Sequence, residues 1–179
     1  AAIDPRHMLA NRTLAALYLV SGRPALAEAP LKTVAAGNPD FLAPQLALAD
    51  YYLAVKRTDE GLRLLDDVSK RKDGYSPAML RTARHEFAIG KRPEAYARVE
   101  KVVAADAKNP QPLLVKAGFL LTEGRADQAL AAAKAAVAIA PRLGRAHFAV
   151  GSIELARGQL ASARVAFQEA LKVSPGFGP

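Results

Sequence analysis

The chain repeats itself every 34 residues. Gly90, Gly124 and Gly158 are spaced by 34, and Gly22 stands 68 residues before Gly90. Ala15, Ala49, Ala83, Ala117 and Gly151 form a second column with the same spacing, and Ala27, Gly61, Ala95, Ala129 and Ala163 a third. Three columns in one register make coincidence a poor explanation. A fixed period of this length means stacked copies of one supersecondary unit, each too small to bury its apolar face alone. It points to a scaffold with an extended binding face rather than to an enzyme built around one pocket.

Residues 110–143 show what one copy encodes. Pro110 and Pro112 open it, and Leu113, Leu114, Ala117, Leu120 and Leu121 recur at helical spacing. Gly124 then breaks the helix where left-handed backbone is cheap only for glycine. Asp127 falls in the first turn of a second helix, where a carboxylate meets the positive end of the macrodipole. Ala129, Leu130, Ala133, Ala136, Val137 and Ile139 continue that helix until Pro141 stops it. Two short helices joined by a tight turn form an antiparallel hairpin.

The twelve prolines test the register independently. Pro5, Pro39, Pro141 and Pro175 share a column just after the second helix. Pro44, Pro77, Pro110, Pro112 and Pro179 fall in the first three positions of a copy, where a missing backbone donor is harmless. Pro24 and Pro93 fall at the start of the second helix. Pro30 is misplaced, inside an expected helix, and should kink that helix or delay its start. The small columns mark where the two helices of a hairpin approach most closely. Leu14, Leu48 and Val150 on the first helix, with Leu31, Leu65, Val99 and Phe167 on the second, fill the space beside them.

On these residues the pattern resembles the tetratricopeptide repeat: small at position 8, aromatic at 11, small at 20, large at 24, small at 27, proline at 32. The first copy reads Ala15, Tyr18, Ala27, Leu31, Val34 and Pro39 at those places. The last reads Gly151, Glu154, Ala163, Phe167, Ala170 and Pro175. The usual tryptophan at position 4 is missing, with Asn11, Gln45, Met79, Leu113 and His147 in its place, and Asp73 and Ala107 replace the closing proline in two copies. The resemblance implies an all-α fold, a right-handed α-solenoid of antiparallel helix hairpins. One solenoid should run over 1–179, with repeats at 8–41, 42–75, 76–109, 110–143 and 144–177 and the end of a preceding repeat at 1–7. Residues 1–4 read as the last turn of that repeat's second helix, closed by Pro5, and 176–179 begin another after Pro175. With no polar capping helix at either end, the expectation is an excerpt of a longer bacterial repeat protein.

The resemblance also implies where a partner would bind. In this family positions 2, 5, 9 and 12 of the first helix line the concave face. Position 5 reads Arg12, Leu46, Leu80, Leu114, Phe148; position 9 reads Ala16, Asp50, Arg84, Gly118, Ser152; position 12 reads Leu19, Leu53, Phe87, Leu121, Leu155. The expected groove therefore comprises Arg12, Leu46, Asp50, Leu53, Arg81, Arg84, Phe87, Leu114, Leu121, Phe148 and Ser152, two apolar ladders about a polar centre. Two readings of the leucines stand: packing between neighbouring helices, or a groove for an apolar peptide or helix. Arg81 and Arg84 are placed to receive a carboxylate. The lysine and asparagine pattern with which some relatives clamp chaperone tails is missing.

Little else suggests chemistry. There is no cysteine, so no disulfide framework and no thiolate metal site. His7, His85 and His147 fall in different columns with no carboxylate cluster, and His85-Glu86 lacks the second histidine of a zinc-protease motif. No catalytic residue, metal or cofactor is expected, and no apolar run reaches membrane-spanning length. The formal charge is +8, spread as +1 over 1–41, zero over 42–75, +3 over 76–109 and +4 over 110–177. That gradient fits an acidic partner or plain solubility. It lacks the dense basic stripe with interleaved aromatics that nucleic acid requires.

The expectation is a protein–protein interaction or assembly scaffold that takes a protein or peptide in its groove, with end-to-end self-association as a second partner class. The Ala/Arg/Leu-rich style resembles repeat proteins of bacterial envelope and exopolysaccharide export systems, which leaves periplasm, envelope and cytoplasm open. The alternative is a regulatory or substrate-recruiting domain of a larger enzyme.

Overall fold

The structure, a computed structural model, describes residues 7–176. The expectations placed on residues 1–6 and on residues 177–179 lie outside them. Among the described residues there are ten helices and no strand: α1 (Met8–Val20), α2 (Pro24–Gly37), α3 (Leu42–Ala54), α4 (Thr58–Ser69), α5 (Tyr75–Ala88), α6 (Arg92–Ala105), α7 (Gln111–Thr122), α8 (Ala126–Ile139), α9 (Gly144–Ala156) and α10 (Leu160–Val173).

The turn within each hairpin has one cause. Gly22, Lys56, Gly90, Gly124 and Gly158 all adopt positive φ, between 67° and 85°. The residue after each donates its N–H back to a carbonyl five positions earlier. Arg23 donates to Tyr18 at 2.8 Å, Arg125 to Leu120 at 2.9 Å and Gln159 to Glu154 at 2.9 Å. The turn residue itself donates three positions back, as Gly124 does to Leu121 at 3.0 Å. This pair of bonds is the Schellman closure, which satisfies the orphan carbonyls at a helix end. It requires a left-handed residue, and four of the five places use glycine.

The small columns allow the two helices of a hairpin to touch. Ala15, Ala27, Ala49, Ala83, Ala95, Ala117, Ala129 and Ala163 are all buried. Gly151 is the tightest case. A Cβ built on it would lie 2.6 Å from two ring atoms of Phe167. The first three copies place Ala15, Ala49 and Ala83 opposite Leu31, Leu65 and Val99. α9 trades the alanine for glycine opposite a larger ring, a swap that keeps the summed volume close to that of an alanine–leucine pair; the fourth copy, Ala117 opposite Ala133, is smaller.

Pro30 does not delay its helix, because α2 is already formed at Pro24 and continues to Gly37. The ring of Pro30 is buried, and this area removed from water offsets part of the lost backbone bond.

The chain divides after His85, within α5, into two compact units. In the first, Ala15, Ala27, Leu31, Ala35, Leu48, Tyr51 and Tyr52 form one apolar cluster. Leu46, Ala49, Leu65, Val68 and Ala78 form another. Arg57 ties this unit across its hairpins. Its guanidinium lies 4.6 Å from the Tyr52 ring centre, donates to Glu28 at 2.6 Å and also engages Glu60. The bond from Arg57, and then that from Lys32, hold the Glu28 carboxyl below its usual pKa.

In the second unit, Ala117, Leu120, Ala129, Leu130, Ala133 and Ile153 form the core. Beside it the Phe87 ring stacks on Phe119 at 4.1 Å, and Tyr96 meets both edge-on. The Tyr96 hydroxyl donates to Glu123 at 2.9 Å. Burial, followed by that bond to a carboxylate, pushes the phenol up to about 12.

Candidate binding surfaces

The expected groove residues fall into two sets, one in each unit. In the first unit, α3 and α5 bring Asp50, Leu53, Arg81, Arg84 and His85 around an open cleft of about 290 Å³. Arg81 is already engaged there. Its Nε donates to both carboxylate oxygens of Asp50, at 3.0 and 2.9 Å, and its Nη1 to the Pro77 carbonyl at 3.2 Å. The chain itself thus supplies the carboxylate that Arg81 was expected to receive from a partner. Arg84 is exposed on the same cleft. His85 also lines it, with a buried Nε2 that has no hydrogen-bond partner among the described residues.

Leu46 is only 6% exposed and sits in the core with Leu65 and Val68, so it has no surface to offer a partner. The physical reason is that α4 closes over position 5 at this copy. Leu53 is half-buried against the same cluster and still reaches the cleft.

Arg12 lies elsewhere in the first unit, on a separate pocket of about 190 Å³ lined by Met8, Arg12, Leu31, Val34, Phe41, Ala43, Pro44 and Ala47. Of these, Met8, Phe41 and the two alanines are not marked as site residues by the sequence. They belong to columns that carry no family signal, and only the juxtaposition of α1 with the start of α3 reveals them.

In the second unit, Phe87 and Phe148 are bound up in ring contacts. Phe87 stacks on Phe119, with the Arg92 guanidinium 5.6 Å from its ring centre. Phe148 tilts against Phe167 at 5.3 Å. Leu121 packs half-buried on the α7–α8 core, while Leu114 and Ser152 are half-buried. His147 touches the Pro141 carbonyl at 2.8 Å, and His7 caps α1 by accepting from the Ala10 N–H at 3.2 Å. Both histidines therefore have local structural roles. Among the described residues no three His, Asp or Glu side chains come together as a metal site would need, and no helix is long and apolar enough to cross a membrane.

Successive helix hairpins with left-handed turns, small-residue contacts and charged cleft walls define a tetratricopeptide-like helical repeat. Solved structures of MamA share this arrangement. MamA from Desulfovibrio magneticus RS-1 (residues 41 to the end) superposes with a TM-score of 0.55 at 17% identity, covering 100% of both chains. A second MamA crystal structure gives 0.55 at 16% identity, covering 98% of this chain and 97% of the other. MamA of MSR-1 gives 0.52 at 20% identity, covering 94% and 97%. Likeness at these identities concerns the fold. No protein-family model matches the sequence, and no curated protein matches it.

Proposed function

We propose that this chain is a non-enzymatic protein-interaction scaffold whose partner, a peptide or helix, lies against the exposed surfaces of the first helix of each hairpin. The observation that carries this reading is the open cleft of Asp50, Leu53, Arg81 and Arg84, where an apolar side chain stands among charged ones on a packed helical frame. Such a surface offers both area and orientation to a partner. Phe87, Leu114, Leu121, Phe148 and Ser152 belong to the same columns in the second unit and are read as continuing this role, the two rings as supports for the surface.

A protein is favoured over nucleic acid because much of the positive charge is locally neutralised. Arg57, Arg81, Arg98, Lys116, Arg125 and Arg157 all sit in ion pairs with carboxylates of the chain. Cations held this way form no continuous stripe for phosphates. The setting we propose, on compositional likeness alone, is a bacterial envelope or exopolysaccharide export assembly, with the five repeats as a single scaffold.

The test is photocrosslinking in the source cells from a benzophenone residue at position 84 or 152, with positions 66 and 134 as controls. Discrete adducts from 84 and 152 alone support the reading. Adducts only from 66 and 134 place binding on another surface and overturn it.

A further inference from the structure

We propose that the pocket beside Arg12 is a dedicated site for one aromatic side chain of an acidic partner segment, with Arg12 pairing to the carboxylate next to it. This rests on the peptide-scaffold reading and names the chemistry of the peptide.

The pocket is built by three helices. Met8 and Arg12, one turn apart on α1, make one wall, and Ala43 and Ala47, one turn apart on α3, make the other. Leu31 and Val34 of α2 form the floor and are buried in the fold, so the floor is rigid. The alanines leave the volume empty, and Pro44 fixes the first turn of the α3 wall. Among the described residues that line the pocket, all are apolar except Arg12.

Size selects the occupant. A volume of 190 Å³ is below the roughly 300 Å³ at which sites for whole small-molecule ligands begin. It is close to the roughly 150 Å³ apolar cavity that accepts a single benzene ring. One aromatic side chain fits.

Charge selects the context. The Arg12 guanidinium is exposed and has no hydrogen-bond or ion-pair partner among the described residues, in contrast to Arg57, Arg81 and Arg157. A guanidinium with no partner among the described residues, at the mouth of an apolar pocket, favours a carboxylate beside the inserted ring. The apolar surface also runs past the mouth, because Phe41 lines it while 61% exposed. A segment that continues beyond the inserted residue covers that ring, so the carboxylate is assigned to an internal Asp or Glu.

Methyl NMR of the full chain can test this with two capped peptides, acetyl-Asp-Phe-Asp-amide and acetyl-Asn-Phe-Asn-amide. The expected result is saturable shifts at Leu31, Val34, Ala43 and Ala47, with the Asp peptide about three- to fivefold tighter, as for a partly exposed ion pair. In Arg12→Gln the two peptides should bind alike. In Ala47→Phe, which fills the pocket from an exposed position, neither should shift the floor residues. Acetyl-phenylalanine with a free carboxylate serves as a third probe. Tighter binding of that probe than of the Asp peptide overturns the internal-segment assignment. Equal affinity of the Asp and Asn peptides for the unaltered chain, or floor shifts that persist in Ala47→Phe, overturns the site. If the site fails while crosslinks at positions 84 and 152 remain, the scaffold reading stands without this pocket. Loss of both removes the scaffold reading as well.

Discussion

Lys56 holds a φ of 67° in a turn where the other four places carry glycine. A side chain in left-handed backbone costs on the order of 1–2 kcal/mol. Lys56→Gly should therefore stabilise the fold by about 1 kcal/mol, read as a higher urea midpoint at unchanged slope. A midpoint that stays or falls would show that Lys56 makes a compensating contact. Gly151 poses the opposite problem, since its limit is space. Gly151→Ala drives a methyl toward the Phe167 ring and should cost about 1–3 kcal/mol. Adding Phe167→Leu recreates the alanine–leucine pairing of Ala15 with Leu31. The double variant should then be more stable than the sum of the single effects. Strict additivity in that cycle would deny the volume trade between α9 and α10.

Among the elements, the α6–α7 contact carries a pH signature. Burial, then the bond to Glu123, raises the Tyr96 phenol to about 12 from its ordinary value of 10.0. A raised folded pKa means the neutral phenol is the stabilised form. Its contribution is complete below pH 10 and is lost as pH rises toward 12. Thermal unfolding followed between those values should show a loss of stability that Tyr96→Phe abolishes. Identical profiles for the two proteins would place the alkaline transition elsewhere. The helices themselves are legible in the sequence, because turn glycines and closing prolines act within a few residues of where they stand. Ring partnerships are not. Phe87 and Phe148 share groove columns, yet each is held by a ring that arrives from another helix, Phe119 in one case and Phe167 in the other. Leu46 likewise reads as a groove residue until α4 covers it. The Arg81–Asp50 pair lies between the two limits. Its residues sit 31 apart in adjacent copies, so the register implies their proximity but not that they satisfy each other.

At the scale of the molecule, the helices leave apolar surface uncovered. On α10 the residues Leu160, Phe167 and Leu171 lie along one stripe. Phe167 turns inward against Gly151 and Phe148, while Leu160 and Leu171 remain 68% and 54% exposed. On α1, Leu9 and Leu17 are exposed as well. Exposed apolar side chains ranged along one face of a helix give a second chain area to remove from water. Each such side chain is worth about 1.5–3 kcal/mol on full burial. A second copy that covers the α10 stripe with an apolar face of its own would recover part of that. We therefore expect concentration-dependent self-association in sedimentation equilibrium, weakened by at least tenfold in Leu160→Glu/Leu171→Glu, since about 1.4 kcal/mol corresponds to a factor of ten. Both positions are exposed, so the double variant should keep its helical content and melting transition. A chain that stays monomeric at high concentration, or a double variant that associates as strongly as the parent, would assign this stripe to a different occupant.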